Sequence, residues 1–463
     1  MTDLLRILSA GASSLAAQTA AAATASHNLE NSGTVGYSRQ RVNLTASLPA
    51  DVVGNSFQGN GVKSGSITQA RDRFLESQLP AQFANAASST AASATLSAVS
   101  ALDPEASGGL GDALSGFYTA LRQLSQNPAD AGLRQVVVSA SGTLALSFNQ
   151  TRGALEETRT GVDQELAGDV SEANGLAASV ASLNGQVRAA RAGGAEPNDL
   201  LDSRQKAMDR LAEITGAAPV STSEGDVSLF LPGGAALVTS MPPSTLSAQG
   251  DPANAGHLAL RLTAGGIQSA VFPGGELGGL LGARDGALGA GVDALDALAH
   301  DLAGEVNAAH QSGVDPSGSA GLALFTGVGT AAGAAGRIAV NGAIAAAVSL
   351  LAAAKAGGGT GDASNVADLI ATGSATLSGG LSAASTLAKI TSAFGTAAST
   401  AATHSDIDTA LRDHLTTLRE ATSGVSVDDE LVEMQKAQRA YQAISKVIQA
   451  SSDMFETLLA LKP

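Results

Sequence analysis

The sequence predicts a mainly α, elongated protein with a small inserted β domain. The N- and C-terminal helices are expected to pair, with an antiparallel helical bundle between them. Three observations predict this. Apolar residues recur at heptad spacing at both ends of the chain. A helical stripe runs without interruption across residues 131–192. Strict two-residue alternation is confined to the segment around residues 217–273.

Of 463 residues, 44% are hydrophobic but only 3% aromatic, and there are 54 glycines. Aromatic side chains bury about 150–250 Å² each. A core made without them needs many thin contacts, which suits long helices packed side by side. The formal charge is −16, from 26 Lys+Arg against 42 Asp+Glu. That argues against a nucleic-acid partner, because neutralising a phosphate backbone needs a basic face. There is no Cys, so disulfides, thiolate nucleophiles and zinc–thiolate sites are excluded.

From the N-terminus, residues 3–30 read as an amphipathic helix. Leu8, Leu15, Ala22 and Leu29 stand seven apart, flanked by Leu4, Leu5 and Ala12. Asn31-Ser32-Gly33 reads as its end, with Gly33 in the left-handed cap. The start, Met1-Thr2-Asp3-Leu4-Leu5-Arg6, lacks a basic region, and Ser9, Gly11, Ser13, Ser14 and Gln18 interrupt the apolar run behind it, so no cleavable signal peptide is expected. Residues 34–73 read as a small extended region with one or two hairpins, turning at Asn55, Gly59, Asn60, Gly61 and Gly65. Helices come next at 72–99 and 111–126, and Asn127-Pro128 stops the second.

In the long helix at 131–192, Leu155, Val162, Leu166, Ala173, Leu176, Val180, Leu183 and Val187 are spaced at intervals of three, four or seven. Gly193-Gly194 breaks it. Pro197 opens another helix, with Leu200, Leu201, Ala207, Met208, Leu211 and Ile214 as its apolar face. The pair reads as an antiparallel hairpin. Val227, Leu229 and Leu231 then alternate, as do Leu258, Leu260 and Leu262, with turns at Pro232-Gly233-Gly234 and Gly265-Gly266. Helix returns at 278–310. Residues 311–400 hold six charged residues and are rich in Ala, Gly, Ser and Thr, so they read as partly loop, with helices at 363–371 and 379–400 continuing through 405–420. The longest apolar run there, residues 343–354, is far short of the about 20 residues a membrane span requires.

The last helix has the clearest pattern. Val427, Met434, Tyr441, Ile448 and Phe455 stand seven apart, with Leu431 and Leu459 on one side and Ala437, Ile444 and Leu458 on the other. Ser426 is placed to cap it, with Asp429 in capping-box position, and Asp428, Asp429 and Glu430 complement the helix dipole. Burying such a stripe returns on the order of 10 kcal/mol, but only against a partner surface. Pattern alone favours a plain two-helix stem closing the protein. The sharper reading is that both ends become fully ordered only when subunits pack together.

The expected organisation is therefore a terminal helical unit of residues 1–40 and 422–463. A mainly helical rod takes 41–216 and 274–421, including the low-charge part at 311–400, and an all-β insertion takes 217–273.

Catalytic motifs are weak. The six His residues show no HExxH spacing, and His300 and His310, ten apart, read as packing or surface positions rather than a metal pair. Gly327-Val328-Gly329 with Gly333 lacks the strand–turn–helix context of a dinucleotide loop. Gly357-Gly358-Gly359-Thr360-Gly361 lacks the Lys-Ser/Thr of a phosphate loop. Arg39 and Arg41 beside Tyr37 read as contact or ion-pair residues. No catalytic residue, cofactor or metal is expected.

Ser26-His27-Asn28-Leu29-Glu30-Asn31 and then Gly36-Tyr37-Ser38-Arg39-Gln40 resemble the N-terminal signature of the flagellar rod, hook and hook-associated axial proteins. The family's usual form is Asn-Asn-Ile/Leu-Ala-Asn, then Gly-Tyr-Ser/Thr-Arg-Gln. The run from Ser423 to Glu430, Gln438-Arg439-Ala440-Tyr441-Gln442-Ala443, Lys446-Val447-Ile448-Gln449 and Met454-Phe455-Glu456-Thr457-Leu458-Leu459 are similar to that family's other end. Four internal blocks resemble the hook-associated branch: Gly59-Asn60-Gly61-Val62, Phe74-Leu75-Glu76-Ser77-Gln78-Leu79, Pro197-Asn198-Asp199-Leu200-Leu201-Asp202-Ser203-Arg204 and Gly278-Gly279-Leu280-Leu281. The 197–204 block separates that branch from hook and rod subunits. His27 stands where the family has Asn, and the short middle implies that the outermost domain is absent or much reduced.

The resemblance implies a structural subunit of the extracellular flagellum at the hook–filament junction, exported by the flagellar type III route. Its partners would be copies of itself in a ring or helical layer, the hook protein, the next hook-associated junction protein, and an export chaperone on the C-terminal helix. The assembly interface would draw on Leu8, Leu15, Asn28, Leu29, Asn31, Tyr37 and Arg39, and on Val427, Met434, Tyr441, Ile448, Phe455 and Leu459. The rival readings are a hook or distal rod subunit and, from another class, an exported cell-wall hydrolase.

Overall fold

The computed structural model describes residues 2–47, 52–53, 56–57, 60–99, 108–221, 225–239, 242–271 and 273–460. The sequence-predicted turns at Asn55 and Gly59 lie outside the described residues. The chain opens with helix α1 (Thr2–Glu30) and closes with helix α12 (Val427–Ala460). They pack antiparallel, with Asn28 against Glu430 at one end and Gly11 against Ile448 farther along. Gly11 has no room to spare: a Cβ there would lie 2.8 Å from Ile448 Cγ1.

Strand β1 (Gln40–Ala46) leads to the short pair β2 (Val52–Val53) and β3 (Ser56–Phe57), and β4 (Val62–Gln69) returns antiparallel to β1. Gly61 carries the turn onto α1. Its φ is +78°, and a side chain there would meet the Ala10 carbonyl oxygen at 2.8 Å. Two turn assignments are corrected. The left-handed residue after α1 is Gly36, not Gly33. Gly65 lies inside β4, opposite the register shift between Val42 and Leu44, where a tight approach to the Asn43 carbonyl leaves no space for a side chain.

Helices α2 (Arg73–Ser97) and α3 (Leu110–Gln126) come next, then α4 (Ala131–Ala192). Asp72 caps α2 and Asp130 caps α4 through the second and third amides of each helix. At about 1.5 Å per residue, α4 is a spine roughly 93 Å long. Its predicted stripe is the buried face: Leu155, Val162, Leu166, Ala173, Val180 and Val187 are buried, and Leu176 and Leu183 half-buried. Helix α5 (Asn198–Thr215) folds back antiparallel along it, and Arg210 binds Glu172 at 2.8 Å.

Two three-stranded antiparallel sheets come after α5. The first is β5 (Ala218–Ser221), β6 (Val227–Phe230) and β7 (Ala236–Val238). The second is β8 (Thr245–Gly250), β9 (Leu258–Ala264) and β10 (Ile267–Ala270). Gly233, Gly234, Gly265 and Gly266 all have positive φ. Helix α6 (Gly275–Leu281) then runs through a π-helical segment, Gly282–Leu288, into α7 (Gly289–Ser312). This segment is a departure from the plain α-helix that the apolar pattern predicts.

The low-charge segment is more ordered than its composition implies. It contains β11 (Phe325–Thr326), α8 (Ala334–Arg337), β12 (Ala339–Val340), α9 (Gly342–Ala346) and α10 (Ser364–Ala371). The two helices expected around 379–420 are one, α11 (Ala383–Ser423). Two apolar cores lie along α4. One joins α3, α7, residues 324–377 and the start of α11. The other joins the second half of α4 with α5, α6 and the sheets. The fold is mainly α with a small β insertion.

Polar side chains bind the backbone of the low-charge segment. Asp296 accepts from the amides of Gly333 and Ala335 (2.7 and 2.9 Å), Asn307 exchanges two bonds with Phe325, and Asn149 reaches the carbonyls of Ala335 and Ile338. His310, fully buried, faces the Leu322 carbonyl at 2.5 Å and accepts from the Ala352 amide at 2.9 Å. It is a packing residue.

Candidate functional site: the polar junction at the base of the terminal helices

The N-terminal signature, the start of α12 and the first turn of α5 converge on one polar junction. Asn28, 1% exposed, is its centre. Its Nδ2 donates to the Gln40 carbonyl (2.9 Å) and to Glu430 Oε2 (3.0 Å), and its Oδ1 accepts from Tyr37 Oη (2.8 Å) and the Gln40 amide (2.9 Å). All four hydrogen-bonding positions of the amide are used, so the group is buried without an unmet polar atom.

Glu430, 2% exposed, also accepts from Arg39 Nε at 2.6 Å. The Arg39 amide donates to the Ser423 carbonyl at the end of α11 (2.8 Å). One residue thus ties the signature loop to both C-terminal helices. The helix-dipole account of the acidic triplet is corrected here. It fits the exposed Asp428 and Asp429, whereas Glu430 is a buried acceptor. Ser426 Oγ accepts from the Asp429 amide at 3.4 Å.

The Tyr37 hydroxyl faces His27 Nδ1 at 3.0 Å, and the two rings meet edge to face. Burial raises the phenol pKa well above its ordinary value, and Asp199, Asp202 and Glu430 add to the shift, so Tyr37 is a neutral donor. His27, which departs from the family pattern, therefore still finds a partner.

The other half of the junction is the 197–204 block. Asn198 Nδ2 donates to Gln40 Oε1 (3.2 Å) and to the Ile67 carbonyl (2.9 Å), and the Asn198 carbonyl accepts from Gln69. Asp199 accepts from Gln40 Nε2 (3.0 Å). Asp202 accepts from the Ser38 amide (3.2 Å) and from Arg71 (2.7 Å). The face of α5 expected to be apolar is therefore polar over its first two turns: Asn198, Asp202 and Arg204 are buried, and Leu200 and Leu201 are only half-buried. Hydrophobic periodicity could not find these residues. The co-occurrence of two polar motifs, 36–40 and 197–202, was the available signal.

The predicted interface residues divide into four groups. Asn28, Tyr37 and Arg39 meet in the junction. Asn31 is outside it and closes the local turn, donating to the His27 carbonyl. Leu8, Leu15, Leu29, Met434, Ile448 and Phe455 are half-buried. Val427, Tyr441 and Leu459 are exposed, at 45, 44 and 52%. Further apolar exposure lies at Leu5 and Ile7 on α1 and at Leu431, Val432, Val447, Met454 and Leu458 on α12. Among the described residues no cluster of three or more His, Asp or Glu could hold a metal ion, and no helix is long and apolar enough to cross a membrane.

Replacing Asp202 with Ala leaves the Ser38 amide without its acceptor and Arg71 with Glu76 alone. A loss of about 1–3 kcal/mol in docking the signature loop is expected. Tryptic cleavage after Arg39 and Arg41 should accelerate while the helical cores stay protected; unchanged cleavage would mean that the junction does not hold the loop.

Known proteins resemble the chain over its helical body and its C-terminal end. Residues 96–325 match the family model described as the flagellar hook-associated protein FlgK helical domain, and residues 420–461 match the C-terminal model of the flagellar basal body rod FlgEFG proteins. Flagellar hook-associated protein 1 of Escherichia coli (strain K12) is 29% identical over 320 residues, 68% of this chain and 58% of that protein. Its counterpart in Bacillus subtilis (strain 168) is 30% identical over 245 residues, 50% of this chain and 48% of that protein. The chain thus spans less than two thirds of the length of these relatives. The solved flagellar hook junction protein FlgK from Burkholderia pseudomallei superposes with a TM-score of 0.50 at 29% identity, covering 54% of this chain and 46% of that one. In its helical body and at its C-terminal end the chain is thus similar to flagellar hook-associated protein 1.

Proposed function

We propose that this protein is a structural subunit of the bacterial flagellum at the junction between hook and filament, with no catalytic role. The observation that carries the reading is the terminal helix pair. The large apolar side chains of its inner seam are only half-buried, and α12 exposes eight large apolar residues along its length. Exposed apolar surface of this extent marks an interaction site. On this reading the pair packs against copies of itself in a ring or helical layer, and against the hook protein and the next junction protein. The same strip of α12 engages an export chaperone before the chain leaves through the flagellar type III channel. Leu8, Leu15, Leu29, Met434, Ile448, Phe455 and the exposed Val427, Tyr441 and Leu459 form the assembly surface, and Asn28, Tyr37 and Arg39 set its angle to the body. We assign residues 1–40 with 422–463 as the axial unit, 41–216 with 274–421 as the rod and 217–273 as its outward insertion.

Deleting the gene and imaging the cells by electron microscopy tests the reading. Hooks without filaments and flagellin shed into the medium are expected; normal filaments would overturn it. Limited proteolysis of the free monomer should trim both ends and leave roughly residues 70–420 intact. Equal resistance along the whole chain would count against ordering coupled to assembly.

A further inference from the structure

A second charged cluster lies far from the terminal helices, where the β insertion meets the spine. His257, 8% exposed, sits in the turn between β8 and β9. Its Nδ1 lies 2.7 Å from Asp163 Oδ2 and its Nε2 3.2 Å from Glu156 Oε2, both carboxylates belonging to α4. An ionised carboxylate only accepts hydrogen bonds, and a neutral imidazole has a single N–H. Both contacts can be made together only by the doubly protonated ring.

The surroundings fit a charged ring. From α4, Arg152 and Arg159 also face Glu156 at 3.3 Å, and Asp163 accepts from the Leu258 amide. From the π-helical segment, Arg284, 1% exposed, binds Asp163 and Asp285. From the turn itself, Asn254 joins Arg159 (2.9 Å) to Asp285 (2.8 Å), and Asp251 accepts from the Ala253 amide. From α7, Asp296 holds Arg152 at 3.0 Å. With the imidazolium counted, four cations face Glu156, Asp163, Asp285 and Asp296. With one proton removed and Nδ1–H kept on Asp163, the bare Nε2 lone pair faces Glu156 Oε2, which then keeps only Arg159 at 3.3 Å as a donor in a partly buried site.

Two backbone features coincide with the cluster. Residues 282–288 are π-helical, a rare geometry that places Arg284 and Asp285 against the turn. Ala255 has φ +51°, and it is the one non-glycine residue with positive φ among the described residues. Such a conformation costs energy and persists only while its surroundings hold it.

We propose that residues 251–257 form a pH-sensitive clasp, which holds the β insertion on α4 and the π-helical segment while His257 carries two ring protons and releases it when one is lost. This inference rests on the contacts of this turn and not on the axial reading.

Hydrogen exchange in the full-length chain tests it, read on peptides covering residues 245–264 and corrected for intrinsic rates. Going from about pH 5.5 to about pH 8 should lower protection in β8 and β9 about ten-fold, as expected for loss of one charge-assisted hydrogen bond. β5–β7 should not change. In His257→Gln the step should vanish. A flat profile in the wild-type chain, or a step that survives in the variant, overturns the proposal. Nitrogen NMR of the wild-type ring covers the case in which the variant fails to fold. Both ring nitrogens should be protonated at the lower pH, and a single neutral tautomer there would refute the clasp.

Discussion

Ile448→Asp is expected to abolish filament growth and swimming while leaving both core clusters folded. Ile448 lies in the seam between α12 and α1, against the bare backbone of Gly11. Burying a large apolar side chain contributes about 1.5–3 kcal/mol, and a carboxylate in the same place adds a desolvation cost. The seam has little to offset that loss, because its other large side chains, Leu8, Leu15, Met434 and Phe455, are only half-buried and its fully buried apolar residues are alanines. Neither core cluster includes Ile448 or any residue of α1 or α12. The purified variant should therefore keep its helical circular dichroism and its protease-resistant body. Normal swimming would contradict the interface assignment. Loss of the folded body would instead place Ile448 in the core.

His310→Ala should act in the opposite place, destabilising the body without touching the ends. The ring is fully buried, and its removal strands the Leu322 carbonyl and the Ala352 amide. Each stranded buried group costs about 1–3 kcal/mol, and the cavity adds to this. A total of about 3–5 kcal/mol is expected, read as a fall of about 5–10 °C in the melting of the helical body. Burial lowers the His310 pKa, opposed by the Leu322 carbonyl and reinforced by Arg134. The unfolded chain then takes up the proton first. Stability is present above the ordinary imidazole value of about 6.5 and is lost as pH falls below it. The variant should lack that acid-side loss. An unchanged melting temperature would show that the Ala/Gly-rich segment holds itself in place.

Elements whose side chains repeat with a period are legible in the chain alone. The α4 stripe, the heptads of α1 and α12 and the alternation in β6 and β9 each record burial on one face, and burial is what hydrophobic spacing encodes. Motif likeness at 26–40, 197–204 and 423–459 carried the resemblance to flagellar axial proteins. The roles of the polar residues, by contrast, emerge from packing in three dimensions. Glu430 reads locally as a helix-end acid and Asn198 as a helix start, yet both are buried in a junction linking positions 28, 39, 40 and 67. The same holds for residues 311–400, where Asp296, Asn307, His310 and Asn149 bind backbone groups far along the chain. A hydrogen bond to a distant backbone atom leaves no periodic trace, because its partner is chosen by proximity in space and not by spacing in the chain.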